Sequence, residues 1–227
     1  MALATSPDPR DLALVSDVKS YINPTLGSTD DALLQTLLTA TSRWIAQYLN
    51  RNLNAQTYTE VRDGTGTASM RLLNWPVVSV SQVMVDNAVI NPAPNQTASG
   101  YVFNPLTGVI SLRPDIFGLG GYFAKGVQNV RFVYVAGYNT PGMYALGATV
   151  AGAPDLPAAL SMAAMQLCAL VYRQRDRVGD TSESVATAGL ERVTYFMGAL
   201  HPSTKSILDL HREVVPVDGM SVAAFGG

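Results

Sequence analysis

The amino-acid sequence predicts an α+β fold, a helical bundle drawn from N- and C-terminal helices with an antiparallel β-rich insertion between them. Three observations predict it. Apolar residues recur at helical spacing near both ends, the period drops to two between residues 57 and 138, and no strand–helix alternation of the dinucleotide-binding kind appears. The expected parts are an N-terminal helical part (1–56), the β-rich insertion (57–138), a Gly/Ala-rich loop (139–154), a C-terminal helical part (155–213) and a flexible tail (214–227).

Residues 11–22 place Leu14, Val15, Val18 and Ile22 at helical spacing, and Pro24 closes the segment. Ser28 and Thr29 are candidate caps for a second, longer helix whose positive end Asp30 and Asp31 complement. Its expected buried stripe is Leu34, Leu37, Leu38, Thr41, Trp44, Ile45 and Tyr48, with Gln35, Ser42, Arg43, Gln47 and Asn50 facing elsewhere.

TYTEVRD (57–63) and MRLLN (70–74), on either side of Gly64-Thr65-Gly66, read as a hairpin. VVSVSQVMVDN (77–87) is rich in β-branched residues, with Pro76 at its entrance, where a missing N–H does little harm. GYVFN (100–104) and VISLR (109–113) form a second hairpin about the turn at 105–108. QNVRFVYVAGY (128–138) is the strongest strand and presents Val130, Phe132 and Tyr134 to one face, after a glycine-rich excursion at 117–126.

A loop of small residues comes after Tyr138, and a helix then runs from Asp155-Leu156-Pro157 to about Arg177, with Asp155 able to cap and proline tolerated in the first turn. This helix is apolar nearly all round. Leu160, Ala164, Leu167 and Val171 occupy one side and Met162, Met165, Ala169 and Tyr172 another, so cover is required on more than one face, from this subunit or from a neighbouring copy. Residues 180–189 are polar, ERVTYF (191–196) reads as a short strand, and 201–213 reads as a last helix starting at Pro202.

Composition narrows the chemistry. Fifteen basic against 17 acidic side chains among 227 residues leave no strongly basic face for gripping nucleic acid. Charged residues at 14 % lie well under the roughly 25 % of an average soluble domain, and 48 % hydrophobic content rules out disorder of the whole chain. A single cysteine, Cys168, excludes an internal disulfide and a multi-cysteine zinc site, and its apolar helix marks it as a packed side chain. The start, MALATSPDPR, lacks a leader pattern, and the apolar run 156–172 is too interrupted to cross a bilayer, so a soluble protein of a reducing compartment is expected, with no membrane partner.

No catalytic, metal or cofactor site is expected. Asp30 and Asp31 point about 100° apart on a helix and do not converge on one ion. Ser206, Asp209 and His211 share one short helix, and no nucleophile elbow accompanies them. The segments GTG (64–66) and GLGG (118–121) fail both phosphate-binding signatures. Arg173, Arg175 and Arg177 form the compact charged cluster, readable as a solvated helix end or as a protein-interface patch.

Taken in order, DDALLQTLLTATSRWIAQYLNRNL (30–53), QTYTEVRDG (56–64), the Pro-Val-x-Ser-Val strand (76–80), NVRFVYVAGY (129–138), DLPAALSMAAMQLCALVYRQRDRVG (155–179) and STKSILDLHRE (203–213) resemble the head–tail connector (adaptor) family of tailed bacteriophages. The resemblance implies a noncatalytic ring of about twelve copies in the virion, assembled in the host cytoplasm. Its implied partners are its own copies, the portal protein, head-closure or tail proteins, and double-stranded DNA that passes through the lumen without sequence-specific binding. The C-terminal region is similar to segments that dock into the portal, which makes Val217, Met220 and Phe225 candidate interface residues. Two departures stand out, the longer Gly/Ala-rich stretch 139–153 and the fifteen residues beyond Arg212. A head-closure or tail-terminator ring is the neighbouring alternative, and a soluble hydrolase the distant one.

Overall fold

The computed structural model describes residues 6–115, 120–175, 183–184, 192–193 and 202–212. Its helices are α1 (Val15–Ile22), α2 (Asp31–Tyr48), α3 (Pro141–Leu146), α4 (Ala158–Gln174) and α5 (Pro202–His211). Its strands are β1 (Gln56–Gly64), β2 (Ser69–Arg71), β3 (Val77–Val85), β4 (Ala88–Ile90), β5 (Gly100–Phe103), β6 (Val109–Arg113), β7 (Gly126–Ala136), β8 (Glu183–Ser184) and β9 (Arg192–Val193). The strands pair antiparallel in the orders β1-β7-β3-β4, β2-β6-β5 and β8-β9, so the chain is an α+β protein.

Alternation along β7 builds the strand core. Val130, Phe132 and Tyr134 are fully buried, as their period-two spacing predicts, and pack with Met70, Leu72, Ile110, Leu112 and Phe123 between the two larger sheets. The expected hairpin of 57–63 with 70–74 does not form. β1 pairs with β7 (Thr59 opposite Val133), whereas β2 pairs with β6 (Met70 opposite Ile110), so the two segments lie in different sheets. The reason lies in residues 64–67, whose backbone bonds to Phe123 rather than closing a turn: Gly66 N donates to Phe123 O (2.7 Å) and Phe123 N to Thr67 O (2.9 Å). Side chains bridge the seam between β1 and β2, where Glu60 Oε2 accepts from Leu73 N (3.3 Å) and from the Tyr134 hydroxyl (2.7 Å).

β5 and β6 form the second hairpin as expected (Val102 opposite Ser111). The short strand β4, absent from the sequence-based expectation, hairpins with β3 through Asp86 (φ 48°) and Asn87 (φ 65°), two positive φ angles of the kind a two-residue turn requires.

The helices pack through two apolar clusters. Leu12, Ile45, Leu49, Leu53, Leu160, Ala164 and Leu208 join α2, α4 and α5, while Val18, Leu34, Leu38, Cys168 and Tyr172 join α1, α2 and α4. The α2 stripe departs from expectation in three places: Gln35 and Ser42 are buried, and Trp44 is 40 % exposed. The N-terminal segment lies against α2 and takes polar partners from it. Ser42 Oγ accepts from Leu12 N (3.1 Å), and Gln35 Nε2 donates to the buried Asp11 carboxylate (2.6 Å). Neither Ser28 nor Thr29 caps α2; Asp30 occupies the cap position without a side-chain capping bond.

The stretch expected as a loop contains α3, capped by Thr140, whose Oγ1 accepts from Met143 N (3.2 Å), and ended by Gly147 at φ 64°. The Asn139 amide ties down residues 150–153, with Nδ2 donating to Val150 O and Ala153 O and Oδ1 accepting from Val150 N (2.8 Å). Asp155 does not cap α4; it accepts from the Tyr144 hydroxyl, and Pro157 stands at the cap. The expected reach of α4 to Arg177, the strand over 191–196 apart from β9, and the tail 214–227 lie outside the described residues.

Candidate assembly interface

The charged cluster at the end of α4 closes the helix layer on itself. Arg175 Nη1 stands 3.3 Å from Asp30 Oδ2, its guanidinium lies 4.2 Å from the centre of the Tyr172 ring, and the Tyr172 hydroxyl donates to the same carboxylate. The hydrogen bond from Tyr172, together with the Arg175 guanidinium, holds Asp30 below the usual carboxylate range. Arg173 Nη2 donates to Ile22 O at 3.4 Å. Both arginines remain on the surface while tying α4 to the entry of α2 and the exit of α1. The other candidates, Arg177, Val217, Met220 and Phe225, lie outside the described residues.

The groups weighed for chemistry are committed to packing. Cys168 is fully buried, and burial, with the Asp11 charge behind it, pushes its thiol up to about 12. Asp209 Oδ1 accepts from the Tyr48 hydroxyl (2.7 Å), which docks α5 on α2. His211 is held below its ordinary value by burial, with the Arg51 charge nearby. Among the described residues no group of three His, Cys, Asp or Glu could hold a metal ion, and no helix is long and apolar enough to cross a membrane.

Apolar side chains remain uncovered on several elements, α4, α2 and the four-stranded sheet among them. Met162 and Leu170 stand on the side of α4 turned away from the Ala164–Cys168 stripe that meets α2, so the all-round apolar helix is covered only in part by its own subunit. Trp44 lies on α2, stacked on Tyr48 with ring centres 5.4 Å apart. Across the four-stranded sheet, Val61, Arg131, Met84 and Val89 form one row of paired positions in which both valines are exposed.

Sequence reasoning missed the residue that joins helices to strands. Arg51, 7 % exposed, lies 3.8 Å from the centre of the Trp75 ring and 5.7 Å from that of Tyr138, and its Nη2 donates to Trp75 O (2.9 Å). The available signal was an arginine just past a helix end, with a tryptophan and a tyrosine flanking strands elsewhere in the chain.

The sequence matches the head completion protein family over residues 11–214. No curated protein matches it. Among solved structures, the fold is similar to a chain from the neck of an empty gene transfer agent (GTA) particle computed with C6 symmetry, at 17 % identity and a TM-score of 0.53, covering 96 % of this chain and 98 % of that one. It is similar, too, to a chain from the neck of a native GTA particle computed with C12 symmetry, at 16 % identity, a TM-score of 0.53 and the same coverage. A chain from the virion of a native gene transfer agent particle gives 18 % identity and a TM-score of 0.51, covering 96 % and 97 %. At these identities the structures show a shared fold, while the family match spans both helical parts and the strands between them. The chain belongs to the head completion protein family, and it is a structural, non-enzymatic protein of the virion.

Proposed function

We propose that this protein is the adaptor subunit of a head–tail neck, tiling with its own copies into a ring between the portal and the tail-side proteins. The observation that carries the reading is the family match over residues 11–214. The likeness to a neck chain in a particle computed with C12 symmetry supports twelve copies. Physical support comes from the uncovered apolar residues of α4 and α2. A ring needs heterologous contacts, two different faces on each copy, and Met162 with Leu170 on one helix and Trp44 on another supply apolar surface for them.

In this reading the helical bundle forms the ring wall, strands and loops reach toward the tail, and the segment beyond α5 docks on the portal. DNA passes through the lumen. Every phosphate neutralised by Lys or Arg adds salt-sensitive affinity, so a chain with three lysines and a formal charge of −2 suits a channel that must not hold its cargo.

Electron microscopy of the assembled particle, with purified portal and purified tails mixed separately with the subunit, tests the proposal. The expected result is a ring directly beneath the portal and binding to portal-bearing capsids. Binding to tails alone would reassign the subunit to head closure or tail termination, and monomers that bind neither would overturn the ring.

A further inference from the structure

We propose that the cleft between the N-terminal segment and α2 is a carboxylate-binding site that takes an aspartate or glutamate side chain of a partner protein. Three parts of the chain build it: residues 10–12, the second half of α2 and residues 53–54. They leave a cleft of about 140 Å³ lined by Arg10, Arg43, Gln47 and Asn54, with Leu12 and Leu53 between them. Backbone and hydroxyl hydrogen bonds fix the walls. Leu12 N donates to Ser42 Oγ (3.1 Å), Arg10 N to Asp8 Oδ1 (2.9 Å), and Thr140 Oγ1 to Pro9 O (2.6 Å). Tyr138 N donates to Leu53 O (2.8 Å) and Ala55 N to Tyr138 O (2.8 Å), which clamps the backbone on both sides of Asn54. Walls held in this way need little further ordering when a ligand arrives.

The lining selects the ligand by charge and by donor geometry. Asp8 pairs with Arg43 at 2.9 Å and balances one of the two guanidiniums, whereas among the described residues no carboxylate forms a salt bridge with the exposed Arg10. Asp11 is not part of the lining; its Oδ2 accepts from Gln35 Nε2 at 2.6 Å. Asn54 is only 8 % exposed, yet no described residue hydrogen-bonds its side-chain amide. Buried amides are ordinarily hydrogen-bonded, so Asn54 marks the place of an incoming acceptor. One surplus positive charge on a planar fork, amide donors beside it and two leucines for a methylene stem match a side-chain carboxylate. Duplex DNA fits less well, because it is gripped by several cations along a track, and here two arginines, one already paired, line a recess. The site lies within one subunit and does not depend on the ring reading.

NMR titration of the isotope-labelled full chain tests the site, read at the Asn54 and Gln47 side-chain amides and at the Arg10 Nε–H. A capped tripeptide with a central glutamate should shift all three signals, and the same peptide with glutamine in its place should shift none. Arg10→Gln should weaken binding about ten-fold. Asn54→Asp, which sets a like charge against the ligand at unchanged size, should abolish it; if that variant fails to fold, Arg10→Gln, a change on an exposed side chain, decides alone. No response to the glutamate peptide, an equal response to both peptides, or parent affinity in Arg10→Gln would overturn the site. A tighter response to inorganic phosphate or to a short DNA duplex than to the glutamate peptide would assign the cleft to phosphate and equally overturn the proposal.

Discussion

Arg51 shows how one side chain fixes the junction between two kinds of structure. Its planar guanidinium stacks on Trp75 and donates to that residue's carbonyl, which an ammonium on a flexible stem cannot reproduce. Arg51→Ala should lower the unfolding free energy by about 2–3 kcal/mol, and Arg51→Lys should recover less than half of it, measured by urea denaturation. Asp11 sets a pH dependence. Its carboxylate is 1 % exposed; Oδ2 accepts from Gln35 Nε2 and Asp8 N, while Oδ1 is buried without a hydrogen-bond partner, and burial raises the group above the usual carboxylate range. A carboxyl that holds its proton more tightly in the folded state favours folding at low pH, and that contribution fades as pH rises through the folded value. Asp11→Asn should therefore flatten this part of the stability–pH curve and gain on the order of 1 kcal/mol at neutral pH, measured as the difference in urea midpoint between parent and variant across the acid range.

Elements show where local pattern decides structure and where it does not. α2, α4 and β7 were legible because their apolar periods coincide with the faces they bury, as Leu34, Leu38 and Ile45 or Val130, Phe132 and Tyr134 demonstrate. Strand partners were not, since the near segment offers only the three-residue β2, whereas the distant β7 pairs with eight of the nine residues of β1. Trp44 looked buried because periodicity identifies an apolar face without showing whether anything covers it. α3 escaped notice because a six-residue helix gives too short a window for a period, although Thr140 before Pro141 and Gly147 after Leu146 mark both its ends. Of the candidate interface, the arginines at the end of α4 were legible as a cluster, but their partners Asp30 and Ile22 lie more than a hundred residues away. The contact of α3 with the N-terminal segment has a sharp test. A Cβ at Gly142 would stand 2.1 Å from Asp8 O and 3.1 Å from Asp11 Cβ, and Thr140 Oγ1 pins the same segment by donating to Pro9 O at 2.6 Å. Gly142→Ala should cost about 1–3 kcal/mol and release residues 8–12, seen as faster amide exchange at Leu12.

At the scale of the whole molecule, the described helices and strands pack through three apolar clusters. Leu208 of α5, fully buried, belongs to one of them. In the proposed adaptor reading, residues 214–227 meet the portal. Ordering such a segment costs conformational entropy, which burial of Val217, Met220 and Phe225 against a portal would have to exceed. Deleting residues 214–227 should leave the thermal midpoint within a few degrees of the parent, because these clusters stay whole. It should abolish attachment to portal-bearing capsids, measured by co-sedimentation. Met220→Ser/Phe225→Ser should weaken that attachment in the same assay. Truncated protein that still co-sediments at the parent level would move the portal contact onto the folded body, and the exposed apolar residues of α4 would then be the surface to mutate.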